Sequence, residues 1–330
     1  MNLYDQQQSN RRKTWLVMLA FVAFFLFLGI GFDTFYIGAH GGAVPIGSAI
    51  ALGVGSVSAA ASYFSGDRAV LLSTQAQPVE ALAAGATADD RLKLRQLQNV
   101  VDEMSIASGL PRPKVYVVPD ADPNAFATGR DPAHASLAVT RGLLDTLDRE
   151  ELQGVVAHEM SHIRNLDVRV MTIVAALVGA VALLADWARR GMMWGGGFRR
   201  SRDRSSSDDE RGGGLAGIIF FAVWLIAVLL APLLAQLLAM MVSRGREYLA
   251  DASGAELTRN PLGLARALEK IESAAAPTPT INRGTAHLCI ADPLGRPMNL
   301  REGAWANLFA SHPPMAARIA ALKEMAFERK

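Results

Sequence analysis

Residues 155–184 read VVAHEMSHIRNLDVRVMTIVAALVGAVALL, and no other stretch limits the fold as strongly. The first half carries His158-Glu159-Met160-Ser161-His162. The second half is an apolar run whose only charge after Asp167 is Arg169. Two histidines four apart lie on one face of an α-helix, so both imidazoles reach a single Zn²⁺. Glu159, next to the first histidine, can then deprotonate a water activated there. A chain that runs such a helix straight into an apolar span places a metal site beside a membrane.

The helix has local support. Asp148 followed by Glu151 reads as a capping box. Beyond it, Leu152, Val155, Val156, Met160 and Ile163 form a stripe at helical spacing. Catalytic zinc takes three protein ligands and keeps one position open. The H-E-x-x-H-x-x-G-x-x-H form is absent, since positions 165 and 168 are Asn165 and Val168. The third ligand is therefore expected to be a carboxylate on another helix. SRGREYLADASGAEL (243–257) offers Glu247 as that ligand. Asp251, one turn on, can accept a hydrogen bond from the outer nitrogen of a ligand histidine. The plain alternative is an amphipathic helix with solvated acids, which suits Glu256. Asp167 is a rival ligand, but it lies five residues after His162, about a turn and a half further along the helix, and is expected to point away from the histidine pair.

Composition enters with the question of lipid. The chain of 330 residues is 51% hydrophobic and 19% charged, with mean hydropathy +0.20. Residues 15–37 and 43–64 are each long enough to cross a bilayer as helix. Arg11, Arg12 and Lys13 precede the first, which puts the N-terminus in the cytoplasm. Two further stretches, from about residue 168 to 185 and from about 215 to 241, flank a linker rich in Gly, Ser and Arg (188–214). That linker offends the positive-inside rule if both flanks span. His158 and Glu247 must meet on one side of the membrane, so residues 168–241 are read as a hairpin inserted into one active site. The expected division is a tail with two spans (1–66), a first half-domain (67–167), the hairpin (168–241) and a second half-domain (242–330).

Elsewhere, 89–109 reads as a helix capped by Asp89 or Asp90 and stopped at Gly109. KVYVV and SLAVT read as short strands around NAFATG. Asn260 and Pro261 open another helix, and Met315 to Phe327 forms a last one. Together these give an α+β, mainly helical domain. The lone Cys289 sits in an apolar run and reads as a buried hydrophobe, and a disulfide within the chain is excluded. The acids among the linker's arginines favour a membrane-surface loop over nucleic-acid binding.

The H-E-x-S-H helix, the S-R-x-R-E-Y-x-A-D segment and the late H-P-P are together similar to the HtpX family of membrane-bound zinc metalloproteases, relatives of the CAAX prenyl proteases. The resemblance covers most of the chain. It implies an integral-membrane, gluzincin-like peptidase in the cell inner membrane with its active site facing the cytoplasm. It also implies a role in stress response and quality control, with misfolded membrane proteins or unfolded polypeptides as substrates. His158, His162 and Glu247 would hold one Zn²⁺, and Glu159 would be the base. NAFATGR (124–130) matches an edge strand on which an extended substrate can pair, with Asn124 near the scissile amide. In SHPPMAARI (311–319), His312 would hydrogen-bond the oxyanion, although it also reads as a helix start. A zinc-containing scaffold and a protease of lipidated peptides are the rival readings. No residue names a homo-oligomeric partner or an accessory protease.

Overall fold

The computed structural model describes residues 3–34, 45–194, 244–274, 281, 285–291 and 313–327. Most of the 188–214 linker, the fourth apolar stretch and His312 lie outside the described residues. The chain is mainly helical and divides into two compact units.

The first unit takes Met1–Leu16, Ala61–Ala176 and Leu237–Lys330. Its sheet has four strands in the order β1-β2-β4-β3, from β1 (Gln77–Pro78), β2 (Lys114–Val118), β3 (Ala125–Gly129) and β4 (Ala135–Thr140). β2 and β4 run parallel, with Lys114 opposite Ser136. β3 runs antiparallel to β4, with Ala125 opposite Val139. All six residues of β4 are buried: Ala135, Leu137 and Val139 line one face and the small Ser136, Ala138 and Thr140 the other.

Helices cover the sheet. After α1 (Leu3–Phe32), α2 (Ile46–Ser73) and the short α3 (Val79–Ala83), α4 spans Ala88–Ser108. Its cap is Thr87, whose side chain accepts from the Asp90 backbone N–H, rather than Asp89 or Asp90. Those two acids fall in the first turn, where they favour the positive end of the helix dipole. Gly109 ends α4 at φ 69°, a left-handed C-cap that glycine adopts without strain. After α5 (Arg141–Thr146) comes α6 (Arg149–Arg164), opened by the complete Asp148–Glu151 capping box. α7 (Asp167–Trp194) follows, then α8 (Arg244–Thr258), α9 (Pro261–Ser273, capped by Asn260) and α10 (Met315–Phe327).

α6 is the hub of this unit, packed against α4, α8, α9 and β3. Leu152, Val155, Val156, Met160 and Ile163 are all buried in one cluster with Leu97, Leu264 and Leu268. Two glycines allow the closest approaches. A Cβ on Gly154 would stand 2.8 Å from the Leu264 Cα, and one on Gly254 would stand 3.0 Å from the His158 backbone nitrogen. Gly154→Ala should therefore cost about 1–3 kcal/mol through overpacking, read as a lower midpoint in denaturant unfolding. An unchanged midpoint would mean that α9 can slide off α6 freely.

The second unit takes Val17–Ala60 and Leu177–Gln236. Within it α1 and α2 meet through small residues. A Cβ on Gly29 would stand 2.7 Å from the Ala51 Cβ, so the backbones pack closely. Asp33, just past α1, accepts hydrogen bonds from the Gly47 and Ser48 backbone N–H groups at 2.7 Å, satisfying orphan donors in the first turn of α2. Among the described residues, Asp5–Phe32 and Ile46–Ser73 are long and apolar enough to cross a membrane. They present uncovered apolar side chains, with Leu19 67% and Val57 69% exposed, a surface suited to lipid and costly in water.

Candidate metal centre

α6 and α8 bring three ligand atoms together. His158 Nε2 and His162 Nε2 stand 3.2 Å apart. Glu247 places Oε2 3.7 Å from the first and Oε1 3.6 Å from the second. Zinc bonds of 2.0–2.1 Å in a tetrahedron set neighbouring ligand atoms about 3.3 Å apart. The triangle therefore has the size of a zinc site. The outer imidazole nitrogens both face carboxylates. His158 Nδ1 lies 2.9 Å from Asp251 Oδ1, and His162 Nδ1 lies 3.2 Å from Asp167 Oδ2. Carboxylates so placed are positioned to hold the outer N–H and turn the Nε2 lone pair to the centre.

The charge balance fits a dication. Glu159, Glu247, Asp251 and Asp167 are buried here with two buried guanidiniums, Arg246 and Arg318. With both imidazoles neutral, as ligands must be, and all four carboxyls ionised, the described cluster carries two more carboxylates than guanidiniums, an excess that a dication would offset. Glu159 is 1% exposed, and its Oε1 has no hydrogen-bond partner among the described residues. A buried oxygen of that kind marks a place for water or substrate.

Ionisation follows the same geometry. Burial pushes the Glu159 carboxyl up to about 7, against the pull of His162. Burial also opposes charge on His162, yet Asp167 and Glu247 overcome it and raise that imidazole to about 9. His162 must release this proton to serve as a ligand. Burial holds His158 below the ordinary histidine range, with Asp251 working the other way. Asp251 is pushed up by burial, but Arg318 prevails and brings it down to about 2.

Asp167 does not point away from the histidines, which corrects the expectation from an uninterrupted helix. α6 ends at Arg164, and Leu166 adopts φ 60° before α7 begins. This left-handed residue turns the chain so that Asp167 reaches back to His162, at a backbone cost of about 1–2 kcal/mol.

Asn124 lies at the head of β3, fully buried. Its Nδ2 donates to the Ala291 carbonyl at 3.0 Å, and its Oδ1 accepts from the Ala125 N–H at 3.0 Å. The outer edge of β3 is taken at Ala125 and Phe126 by the chain itself: the Ile290 N–H donates to the Ala125 carbonyl, and Phe126 bridges Cys289. Among the described residues no strand pairs with the outer edge of Ala127–Gly129. His312 lies outside the described residues.

The sequence reading missed Arg318 and Arg246. Arg318 is fully buried on α10 and donates from Nε and Nη2 to Asp251 at 2.8 and 2.7 Å. Its signal was a lone cation in the otherwise apolar run MAARIAAL. Arg246 places Nη1 3.5 Å from Asp167 Oδ1. It hides in a segment of mixed charge that gives no such signal.

Known proteins resemble this chain along nearly its whole length. The sequence profile of peptidase family M48 matches residues 91–326. A protein named Protease HtpX homolog from Caldanaerobacter subterraneus subsp. tengcongensis is 40% identical over 323 residues, covering 98% of both chains. One of the same name from Streptococcus gordonii is 38% identical over 324 residues, covering 98% of this chain and all of the other. The crystal structure of S. mikatae Ste24p aligns with 97% of this chain and 67% of its own, at 19% identity and a TM-score of 0.46.

Proposed function

The chain belongs to peptidase family M48, and on that premise we propose that it is a membrane-anchored, zinc-dependent endopeptidase of the gluzincin type. The observation that carries this reading is the His158–His162–Glu247 triangle beside a buried Glu159 oxygen with no hydrogen-bond partner among the described residues. His158, His162 and Glu247 would hold the ion. A bound Zn²⁺ supplies Lewis-acid polarisation of the scissile carbonyl and activates the attacking water. Glu159 takes the proton from that water and delivers it to the leaving amine. Asp251 and Asp167 hold the two imidazoles in place. The outer edge at Ala127 and the Gly129 carbonyl are offered to an extended substrate, the Gly129 N–H being held by the Thr172 hydroxyl at 3.0 Å. His312 is a further contact to the oxyanion, and Asn124 would reach the reacting amide only by giving up its bond to the Ala291 carbonyl.

The substrates are loops and tails of misfolded membrane proteins, or other unfolded chains, cut at the cytoplasmic face of the inner membrane. A protease held at the bilayer meets them at high effective concentration. Residues 1–66 anchor the chain. Residues 67–167 and 242–330 form the peptidase, and 168–241 form a membrane hairpin between them.

Zinc content and casein cleavage by detergent-purified full-length protein test this reading, with wild type beside Glu247→Ala. We expect one zinc per chain in the wild type. Loss of one of only three protein ligands should remove most of the bound zinc and abolish cleavage. Zinc held equally in both, with neither cleaving, would overturn the protease reading in favour of a scaffold with a closed structural site.

A further inference from the structure

The N-terminal helix reaches the metal centre through a buried amide. Asn10, on α1, is 1% exposed. Its Nδ2 donates to Asp167 Oδ1 at 2.7 Å and to the Asn165 carbonyl at 2.9 Å. The other Asp167 oxygen, Oδ2, faces His162 Nδ1 at 3.2 Å. One carboxylate thus links a side chain near the start of the sequence to the outer nitrogen of a metal-ligand candidate. A second tie joins the same helix to the same turn, where Gln7 Nε2 donates to the Arg164 carbonyl at 2.7 Å. That tie touches neither Asp167 nor His162.

The two oxygens of Asp167 are not equivalent. Arg246 supplies charge to Oδ1, but from 3.5 Å, beyond the range of a well-formed hydrogen bond. Asn10 supplies the short bond to the same oxygen. Its two donor hydrogens are both used, one on the carboxylate and one on the backbone turn that carries it. The amide therefore fixes the plane of the carboxylate relative to the turn. That plane decides whether Oδ2 stays in line with the His162 ring. Outer partners of ligand histidines set ring orientation and basicity, and their loss lowers metal affinity or activity about 10–100-fold.

We propose that Asn10 is a positioning residue for His162, acting through Asp167, so that the helix that anchors the chain also sets the metal affinity of the site. The proposal rests on His158, His162 and Glu247 being metal ligands, as put forward above.

The test uses full-length protein in detergent, with zinc affinity read by competition against a chromogenic chelator. The visible absorption of the Co²⁺-loaded protein provides a second readout. Three variants are compared with wild type: Asn10→Ala, Asn10→Leu and Gln7→Ala. Leucine keeps the branched outline of asparagine at a larger volume and loses both its donor and its acceptor, while alanine removes the amide without adding bulk. Both Asn10 variants should bind zinc more weakly by a few-fold up to about tenfold, at or below the lower end for removing an outer partner of a ligand, with a shifted Co²⁺ band. Gln7→Ala should match wild type in both readouts. Wild-type affinity and an unchanged Co²⁺ band in both Asn10 variants would overturn the proposal. An equal loss in Gln7→Ala would also overturn it, because the effect would then belong to helix docking. A wild type that binds no zinc would instead sink the metal-site reading, and the proposal with it.

Discussion

Glu159→Gln should lower peptide hydrolysis by about 10²–10⁴-fold, the usual worth of a general base, while zinc content stays at the wild-type value. The glutamine keeps the size of the side chain and removes its ability to take a proton. The carboxyl is buried by its neighbours on α6 and β3, and burial raises it to about 7. None of the three ligand atoms belongs to this residue, so metal retention separates lost chemistry from lost architecture. Cleavage of a quenched fluorescent casein by wild type and variant at equal zinc occupancy decides the matter. A variant that retains zinc and full activity would remove Glu159 from the mechanism.

The local rules of the sequence carried much of the fold. The Asp148–Glu151 capping box does open α6, Asn260 does cap α9, and the last helix runs from Met315 to Phe327. Each rests on a pattern complete within a few residues. The metal triangle was legible for a similar reason, since helical spacing alone puts His158 beside His162. Asp167 was not legible, because its position depends on Leu166 leaving the helical region at φ 60°. Leucine gives no local hint of a left-handed turn. Asn10 was hidden by sequence distance, since its partner lies 157 residues away. Its neighbours Arg11, Arg12 and Lys13 draw the eye to the membrane surface instead. Arg318 belongs to a motif whose histidine drew the attention, and its own partner, Asp251, is 67 residues off.

Arg318→Met should destabilise the metal-free protein by about 3–5 kcal/mol, the cost of breaking a buried ion pair by removing one member. The guanidinium is fully buried, grips both oxygens of Asp251 and donates from Nη1 to the Ile290 carbonyl at 2.8 Å. The same Nη1 stands 3.4 Å from Glu247 Oε2. Methionine fills much of the space and answers none of these acceptors. Arg318→Lys should recover only part of the loss, because one ammonium cannot reproduce a planar two-point grip. The pH dependence gives the sign. Arg318 holds Asp251 at about 2, below its ordinary 3.8, despite the opposing effect of burial. A carboxyl lowered in the folded state stabilises above its unfolded value, and the benefit drains away as pH falls towards the folded one. The gap between wild type and Arg318→Met should therefore be widest near neutrality and narrow below about pH 4. Thermal unfolding of metal-free protein in detergent, followed from pH 7 to pH 3, measures that gap. A gap that stays constant across the range would mean that methionine harms packing alone. Arg318 would then not be the cation that keeps Asp251 ionised beside His158.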